Sequence, residues 1–144
     1  MVVKNEETEK NCCFYVSDYH LEMILIPYIN KKIDEDVSIS TEKKLRESVE
    51  ILMSKINMND ENKQKILNLG WDGEEKIKDN SNVIIIGSNK YIEDKNREMS
   101  SLNAISVLDC YNFEEEKDNM KDIVKLYKNT LNTLGKNNFW KFLA

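Results

Sequence analysis

Six polar side chains stand where an α/β protein would bind a ligand. Each lies at the end of a predicted strand or at the start of the helical segment that follows one. The six residues are Asp18, His20, Thr41, Ser88, Asn89 and Asp109. In open α/β sheets, ligands bind just beyond the carboxyl ends of the strands. Carboxylate, imidazole, hydroxyl and amide groups there can hydrogen bond to a small molecule. The pattern therefore predicts a ligand site formed by these six residues at one edge of a sheet.

Some of these residues also allow a catalytic interpretation, because they include nucleophile and general-base types. They are Asp18, His20, Ser88 and Asp109. Ser17, Asp18 and His20 are so close in sequence that triad geometry is disfavoured, and no G-x-S-x-G elbow is present. We predict no catalytic residues, and a small hydrolase or transferase with its site at the strand ends stays the alternative.

Helix capping gives a third explanation of polar residues at these junctions, since short polar side chains accept hydrogen bonds from the first free N–H groups. Gly-Ser-Asn at 87–89 follows an apolar run and opens a helical segment, which suits a bound anion. This segment matches neither the dinucleotide-binding glycine pattern nor the P-loop pattern. We therefore expect no nucleotide and no other cofactor.

The single histidine and three cysteines do not show the spacing of a metal centre. Cys12 and Cys13 are adjacent, and Cys110 is distant in sequence. All three fall in predicted strands, where reduced thiols pack as small apolar side chains. We predict no metal site and no structural disulfide.

Size and charge limit the class of protein. The 144 residues suit one domain, and 40% hydrophobic with 33% charged residues is typical of a globular domain. The net charge of -5 disfavours nucleic-acid binding. No apolar run approaches the roughly 18 residues of a membrane span. The N-terminus lacks the apolar segment of a signal peptide, so we expect a cytoplasmic protein.

A strand-like run followed by a helix-period segment recurs four times along the chain. The runs are residues 12–16, 37–40, 83–86 and 105–111, and the helical segments are 21–33, 45–56, 91–102 and 120–134. Such alternation is typical of βαβ units. It predicts a single three-layer α/β domain with a mainly parallel sheet of four or five strands, RecA-like or flavodoxin-like.

This domain is predicted over residues 11–136, between a disordered lead-in (1–10) and an aromatic tail (137–144). The segment 21–33 is apolar around most of its girth, which predicts the most buried helix. Pro27 predicts either a kink or a restart inside it.

The boundaries of several elements are also predicted from single residues. Asp18 is expected to cap the first helix, and Ser40 or Thr41 the second. Gly135 is expected to end the last helix. Within 57–82, apolar residues at every second position (Leu67, Leu69 and Trp71) favour a strand. The alternative is the end of a short helix capped by Gly70.

The tail concentrates apolar side chains beyond Gly135, namely Phe139, Trp140, Phe142 and Leu143. Such a cluster either folds back onto the sheet or forms a partner site. The second option gives a protein–protein adaptor as a further candidate function.

The first third of the chain resembles a known family. Asn-Cys-Cys-Phe-Tyr at 11–15, the helical segment 21–33 and Val-Ser-Ile-Ser-Thr-Glu at 37–42 are similar to the start of the MEDS sensory domain. That name covers RecA-like α/β ligand-sensing domains of prokaryotic regulators in methanogens and methylotrophs. The family often has a histidine just before its first strand, where this chain has Asn11. The resemblance implies a RecA-like core without nucleotide hydrolysis, and a sensory or regulatory role.

The leading hypothesis is a non-enzymatic regulatory or sensory domain that binds a small ligand or a protein partner. Self-association into a homo-oligomer is compatible with it. Neither nucleic acid nor a membrane is expected as a partner.

Overall fold

The computed structural model describes residues 8–73, 76–133 and, for the backbone only, 135–137. It contains a six-stranded sheet in the order β2-β3-β4-β1-β5-β6. The strands are β1 (Glu9–Tyr15), β2 (Val37–Thr41), β3 (Asn82–Ile86), β4 (Ser106–Asn112), β5 (Asn129–Asn132) and β6 (Gly135–Asn137). The first five strands of that order are parallel, and β6 is antiparallel to β5. The predicted α/β fold with a mainly parallel sheet is confirmed.

Helices cover both faces of the sheet and make three layers. The helices are α1 (Asp18–Lys31), α2 (Arg46–Met53), α3 (Asp60–Leu67), α4 (Asn89–Glu98), α5 (Phe113–Glu116) and α6 (Met120–Val124). Buried residues of α1, α2 and α3 share one apolar cluster, and those of α4 and α6 share a second. The strand order differs from the flavodoxin-like order, in which β1 lies between β2 and β3.

The two-residue period of the strands divides the core between these faces. In β3, Ile84 and Ile86 belong to the α1 side, and Val83 and Ile85 belong to the α4 side. A strand covered on both faces reads as a continuous apolar run, as predicted for residues 83–86.

Helix α1 lies at the centre of the larger cluster, as its apolar pattern predicts. Leu21, Leu25 and Ile29 are fully buried. The helix is continuous through Pro27, so it does not restart there. Its N-cap is Ser17 rather than the predicted Asp18, because the Ser17 hydroxyl accepts the N–H of the third helical residue and Asp18 is already in the first turn.

The predicted strand at 66–71 is wrong, and the helical alternative is closer. Helix α3 ends at Leu67, and Trp71 lies in the following turn with no exposed surface. The Trp71 indole N–H donates to the Ile66 carbonyl at 2.7 Å, and the Trp71 carbonyl accepts the Leu45 N–H at 2.8 Å. Local hydrogen bonds to the ends of two helices therefore replace a strand ladder.

The chain then returns over the other face of the sheet before entering β3. The Lys78 N–H donates to the Ser38 hydroxyl at 3.1 Å, and Ile77 packs against the α4 cluster. The connection from β2 to β3 therefore lies on both faces.

The predicted helix 120–134 is also wrong beyond its first turns. Helix α6 ends at Val124, and β5 follows as a parallel neighbour of β1 from Asn11 to Cys13. Asn and Thr are weak helix formers, and the ladder supplies their backbone groups with partners that an exposed helix end would lack. Gly135 therefore opens strand β6 instead of ending a helix.

Strand β1 begins at Glu9, so Glu9 and Lys10 of the predicted lead-in pair with the sheet, and Asn137 of the predicted tail belongs to β6. The aromatic residues of the tail lie outside the described residues. In the described part of the chain, no helix combines the length and the apolar character needed to cross a bilayer.

Candidate functional site

The structure separates the six predicted site residues into two groups. Asp18, Thr41 and Ser88 lie at the carboxyl edge of the sheet, next to the ends of β1, β2 and β3, with His20 and Asn89 in the helices that follow. Asp109 lies in the middle of β4, opposite Cys12 of β1. Its side chain is therefore under the α4 side of the sheet and away from that edge.

At the carboxyl edge, this chain supplies its own charges to the polar groups. The Lys43 ammonium pairs with the Asp18 carboxylate and lies 5.2 Å from the centre of the Tyr15 ring. The Glu42 carboxylate accepts the Ser88 N–H at 2.7 Å, where the sequence suggested a bound anion. A Cβ at Gly87 would stand 2.6 Å from the same Glu42 oxygen and 2.6 Å from Tyr91 Cδ2, so a larger residue would displace both side chains from their present positions.

The remaining edge residues act as local caps. The His20 Nδ1 accepts the Val16 N–H at 3.0 Å, and the Ser88 hydroxyl accepts the Tyr91 N–H at 3.2 Å as the N-cap of α4. The Thr41 hydroxyl accepts the Lys43 N–H at 2.9 Å in a tight turn. Thr41 does not cap α2, whose N-cap residue Leu45 makes no side-chain cap. These three side chains therefore accept hydrogen bonds from backbone N–H groups of this chain.

Asp109 is the centre of a different polar cluster, which lies on the α4 side of the sheet. The Asn96 amide donates to both Asp109 oxygens at 3.2 and 3.3 Å, and the Tyr127 hydroxyl donates to one of them at 2.5 Å. The Tyr127 oxygen then lies 2.6 Å from the Tyr111 hydroxyl. Asp109 has no exposed surface. We call Asp109, Asn96, Tyr111 and Tyr127 the Asp109 network.

Strand β4, helix α4 and the segment between α6 and β5 hold the network in place. Asp109 and Tyr111 are on the same face of β4 because they are two residues apart. Asn96 lies on α4, and its amide also donates to the Ile92 carbonyl at 2.9 Å. Tyr127 follows α6, and the next residue donates its N–H to the Lys10 carbonyl of β1 at 2.8 Å. The start of β5 therefore fixes the position of the Tyr127 ring.

A cavity of about 610 Å³ lies above this network, between α4 and α6. Its walls combine amides, charged groups and apolar side chains: Lys10, Asn89, Ile92, Glu93, Asn96, Arg97, Tyr111, Asn119, Asp122, Ile123, Leu126 and Tyr127. This volume is in the range that small-molecule sites occupy. Asn89 is the only residue of the predicted site that lines it directly, and Asp109 lies beneath its floor.

Burial controls the electrostatics of the network. Loss of hydration raises the pKa of Asp109 to about 6, and the Tyr127 hydroxyl and the Lys10 ammonium oppose part of that rise. Burial also raises the pKa of Tyr111 and that of Tyr127, so both phenols stay protonated. The network therefore has one group, Asp109, that changes its charge between pH 5 and 7.

We expect Asp109 to make stability depend on pH. Because the folded protein holds this proton more tightly than the unfolded chain, with its pKa near 3.9, the contribution of Asp109 is fully present below about pH 4. It is lost as the pH rises through about 6. The loss is about 3 kcal/mol for a fully buried carboxyl.

Urea titrations of the wild type and Asp109→Asn between pH 4 and 7.5 measure this effect. The quantity of interest is the difference between their free energies of unfolding, followed as the pH changes. Asp122→Asn is the matched control, because the Asp122 side chain is 85% exposed. A wild type that loses no stability relative to Asp109→Asn over this range would contradict the placement.

The three cysteines lie in strands β1 and β4 and do not line the cavity above Asp109. Cys12, Cys13 and Cys110 are free and buried. Burial raises the pKa of the Cys12 thiol to about 12 and that of Cys110 well above its usual value, so both stay protonated. In the described part of the chain, no three His, Cys, Asp or Glu side chains gather as ligands for a metal ion.

Comparison of the chain with family models, with curated proteins and with solved structures gives no match.

Sequence reasoning selected Asp109 but missed its two hydrogen-bond partners, Asn96 and Tyr127. One local signal was available: Asp109 interrupts an otherwise apolar strand, and a buried carboxylate needs partners. Nothing local pointed to Tyr127, which fell in a predicted helix, or to Lys10, which fell in the predicted lead-in. Asn96 lies among many polar residues in a helical segment that has only a narrow apolar stripe, so nothing distinguished it in the sequence.

Proposed function

We propose that this protein is a regulatory or sensory α/β domain that binds a small polar ligand in the cavity above Asp109. The observation that carries the proposal is that a fully buried carboxylate is held by two side chains, Asn96 and Tyr127, that themselves line an open cavity. A ligand that hydrogen bonds to either side chain competes directly with Asp109.

The cavity also indicates which chemistry the ligand would have. Lys10 and Arg97 offer positive charge on its walls, Glu93 and Asp122 offer negative charge, and amides lie between them. Mixed charge and many hydrogen-bonding groups favour a polar molecule with both donors and acceptors over a purely apolar one.

The geometry suggests how binding would be converted into a signal. Asn96 belongs to α4 and Tyr127 follows α6, so a ligand between them changes the contacts of both helices with β4. Loss of either hydrogen bond favours protonation of Asp109, because both bonds stabilise its ionised form and lower its pKa. The network thereby couples ligand occupancy to the packing of two surface elements.

The sensory proposal is compatible with the observed fold, a mainly parallel sheet with helices on both faces. A MEDS-like sensory domain of this kind would work in the cytoplasm of a prokaryote, without nucleic acid, and pass its state to a protein partner. The hydrolase or transferase alternative has less support, since Ser88, His20 and Asp18 are engaged in capping and pairing.

Native mass spectrometry of the protein purified from its own host tests the proposal. We expect a retained small molecule on the wild type and its loss in Asn96→Leu, which keeps the side-chain volume but removes the amide. The matched control is Asn62→Leu on α3, whose amide donates to Asn30 at 3.2 Å on the opposite face of the sheet. Wild-type protein without added mass, or a mass that Asn96→Leu retains, would count against this function.

A further inference from the structure

A second candidate site lies on the other face of the sheet, in a groove between α1 and α2. Its volume is about 300 Å³, and its walls are Tyr19, Glu22, Glu47, Ser48, Ile51, Leu52 and Lys55. We call it the α1–α2 groove. It belongs to the α1 side of the core, so it is separate from the Asp109 network and from the function proposed for that network.

Glu22 is the unusual member of this groove. It has no exposed surface, and neither carboxylate oxygen has a hydrogen-bond partner in the described part of the chain. A buried carboxylate without partners is strongly unfavourable, and native proteins almost always satisfy such groups. Burial raises the pKa of Glu22, and the nearby Ser48 hydroxyl and Lys43 ammonium oppose only part of that rise. Within the described residues, both Glu22 oxygens are therefore left without a hydrogen-bond donor in suitable geometry, although the Ser48 hydroxyl lies nearby.

The other walls show what kind of molecule would bring that donor. Tyr19 and Ile51 are 62% and 55% exposed, and Leu52 is buried beside them, so the groove offers an apolar channel above Glu22. Its charged members are two carboxylates and one ammonium, Lys55. Hydrogen bonds from a cation to a carboxylate are roughly twice as strong as those between neutral groups.

We propose that the α1–α2 groove binds a small primary amine with an aryl or alkyl body, whose ammonium group reaches Glu22 while the body packs against Tyr19, Ile51 and Leu52. The volume is at the lower end of small-molecule sites and limits the ligand to about ten non-hydrogen atoms. Binding stabilises the ionised carboxylate, so a proton is released from the fraction of Glu22 that was protonated.

Amide chemical shifts of the ¹⁵N-labelled protein, titrated with 2-phenylethylammonium, test the proposal. We expect saturable shifts in the amides of residues 19–22 and 48–55. The neutral isostere 2-phenylethanol should bind about tenfold or more weakly, because it lacks the charge-assisted hydrogen bonds. Affinity for the amine should rise with pH as Glu22 ionises, whereas affinity for the alcohol should not.

Glu22→Gln should reduce amine affinity about tenfold or more, to the level of the alcohol. Glu50→Gln is the matched control, because Glu50 is exposed on α2, the second helix of the groove, and does not line the groove. If Glu22→Gln does not fold, Ile51→Trp fills the groove from an exposed position and should abolish binding. Equal affinity for amine and alcohol, undiminished binding by these variants, or no saturable shift in the groove would overturn the proposal.

Discussion

Replacing Leu25 by alanine is expected to lower the free energy of unfolding by about 2–5 kcal/mol. Leu25 has no exposed surface, and its neighbour Ile24 is 3% exposed, in the helix that fills the centre of the larger apolar cluster. Truncation removes buried methyl groups and leaves a cavity that close-packed neighbours fill only in part. Ile24→Ala is expected to fall in the same range.

Urea titration measures this loss as a shift of the midpoint at constant slope. Tyr19→Ala is the control on the same helix, because Tyr19 is 62% exposed and its change should stay within about 0.5 kcal/mol. Losses below about 1 kcal/mol for both Ile24→Ala and Leu25→Ala would show that α1 is not the centre of the core.

Replacing Trp71 by alanine is expected to cost about 3–5 kcal/mol, because a fully buried indole is the largest single side chain in the core. The change also removes the indole hydrogen bond to the Ile66 carbonyl. Trp71 connects the end of α3 to the start of α2, so its loss should loosen both helices.

Trp71→Phe separates packing from hydrogen bonding, since it keeps an aromatic ring and removes the N–H donor. We expect a smaller loss than for alanine, because the Ile66 carbonyl keeps the Leu69 N–H at 3.2 Å. Circular dichroism during thermal unfolding measures both variants. Equal and small losses for alanine and phenylalanine would mean that Trp71 is a surface residue.

The two candidate sites differ in how well their buried carboxylates are satisfied, and this difference gives them different roles. Asp109 accepts hydrogen bonds from Asn96 and Tyr127, so a ligand in its cavity must compete with existing contacts. Glu22 accepts none from the described residues, so a ligand in the α1–α2 groove adds contacts to its carboxylate without displacing a hydrogen bond of that group. Hydrogen-bonded networks rigidify a fold, whereas an unsatisfied group favours any molecule that supplies the missing partner.

The predicted ligand-site residues show most clearly which features of this protein could not be inferred from neighbouring residues in the sequence. The rule that ligands gather at strand carboxyl ends selected Asp18, Thr41 and Ser88, which the structure uses for pairing and capping. Asp109 was selected as a strand-end residue and lies in mid-strand instead. Its partner Asn96 lies 13 residues earlier in the chain and its partner Tyr127 lies 18 residues later, and no spacing rule connects them to Asp109.

Outside residues 57–82, the sequence by itself determined the alternation of strands and helices up to β4, the buried character of β3 and the central position of α1. These features follow from side-chain period and β-branched runs, which act within a few residues. Only the tertiary structure decided that residues 129–132 form a strand, because their helical tendency is weak and β1 offers them a free edge. The same pairing with β1 places Tyr127 over Asp109, so the network exists only once strands distant in sequence have come together.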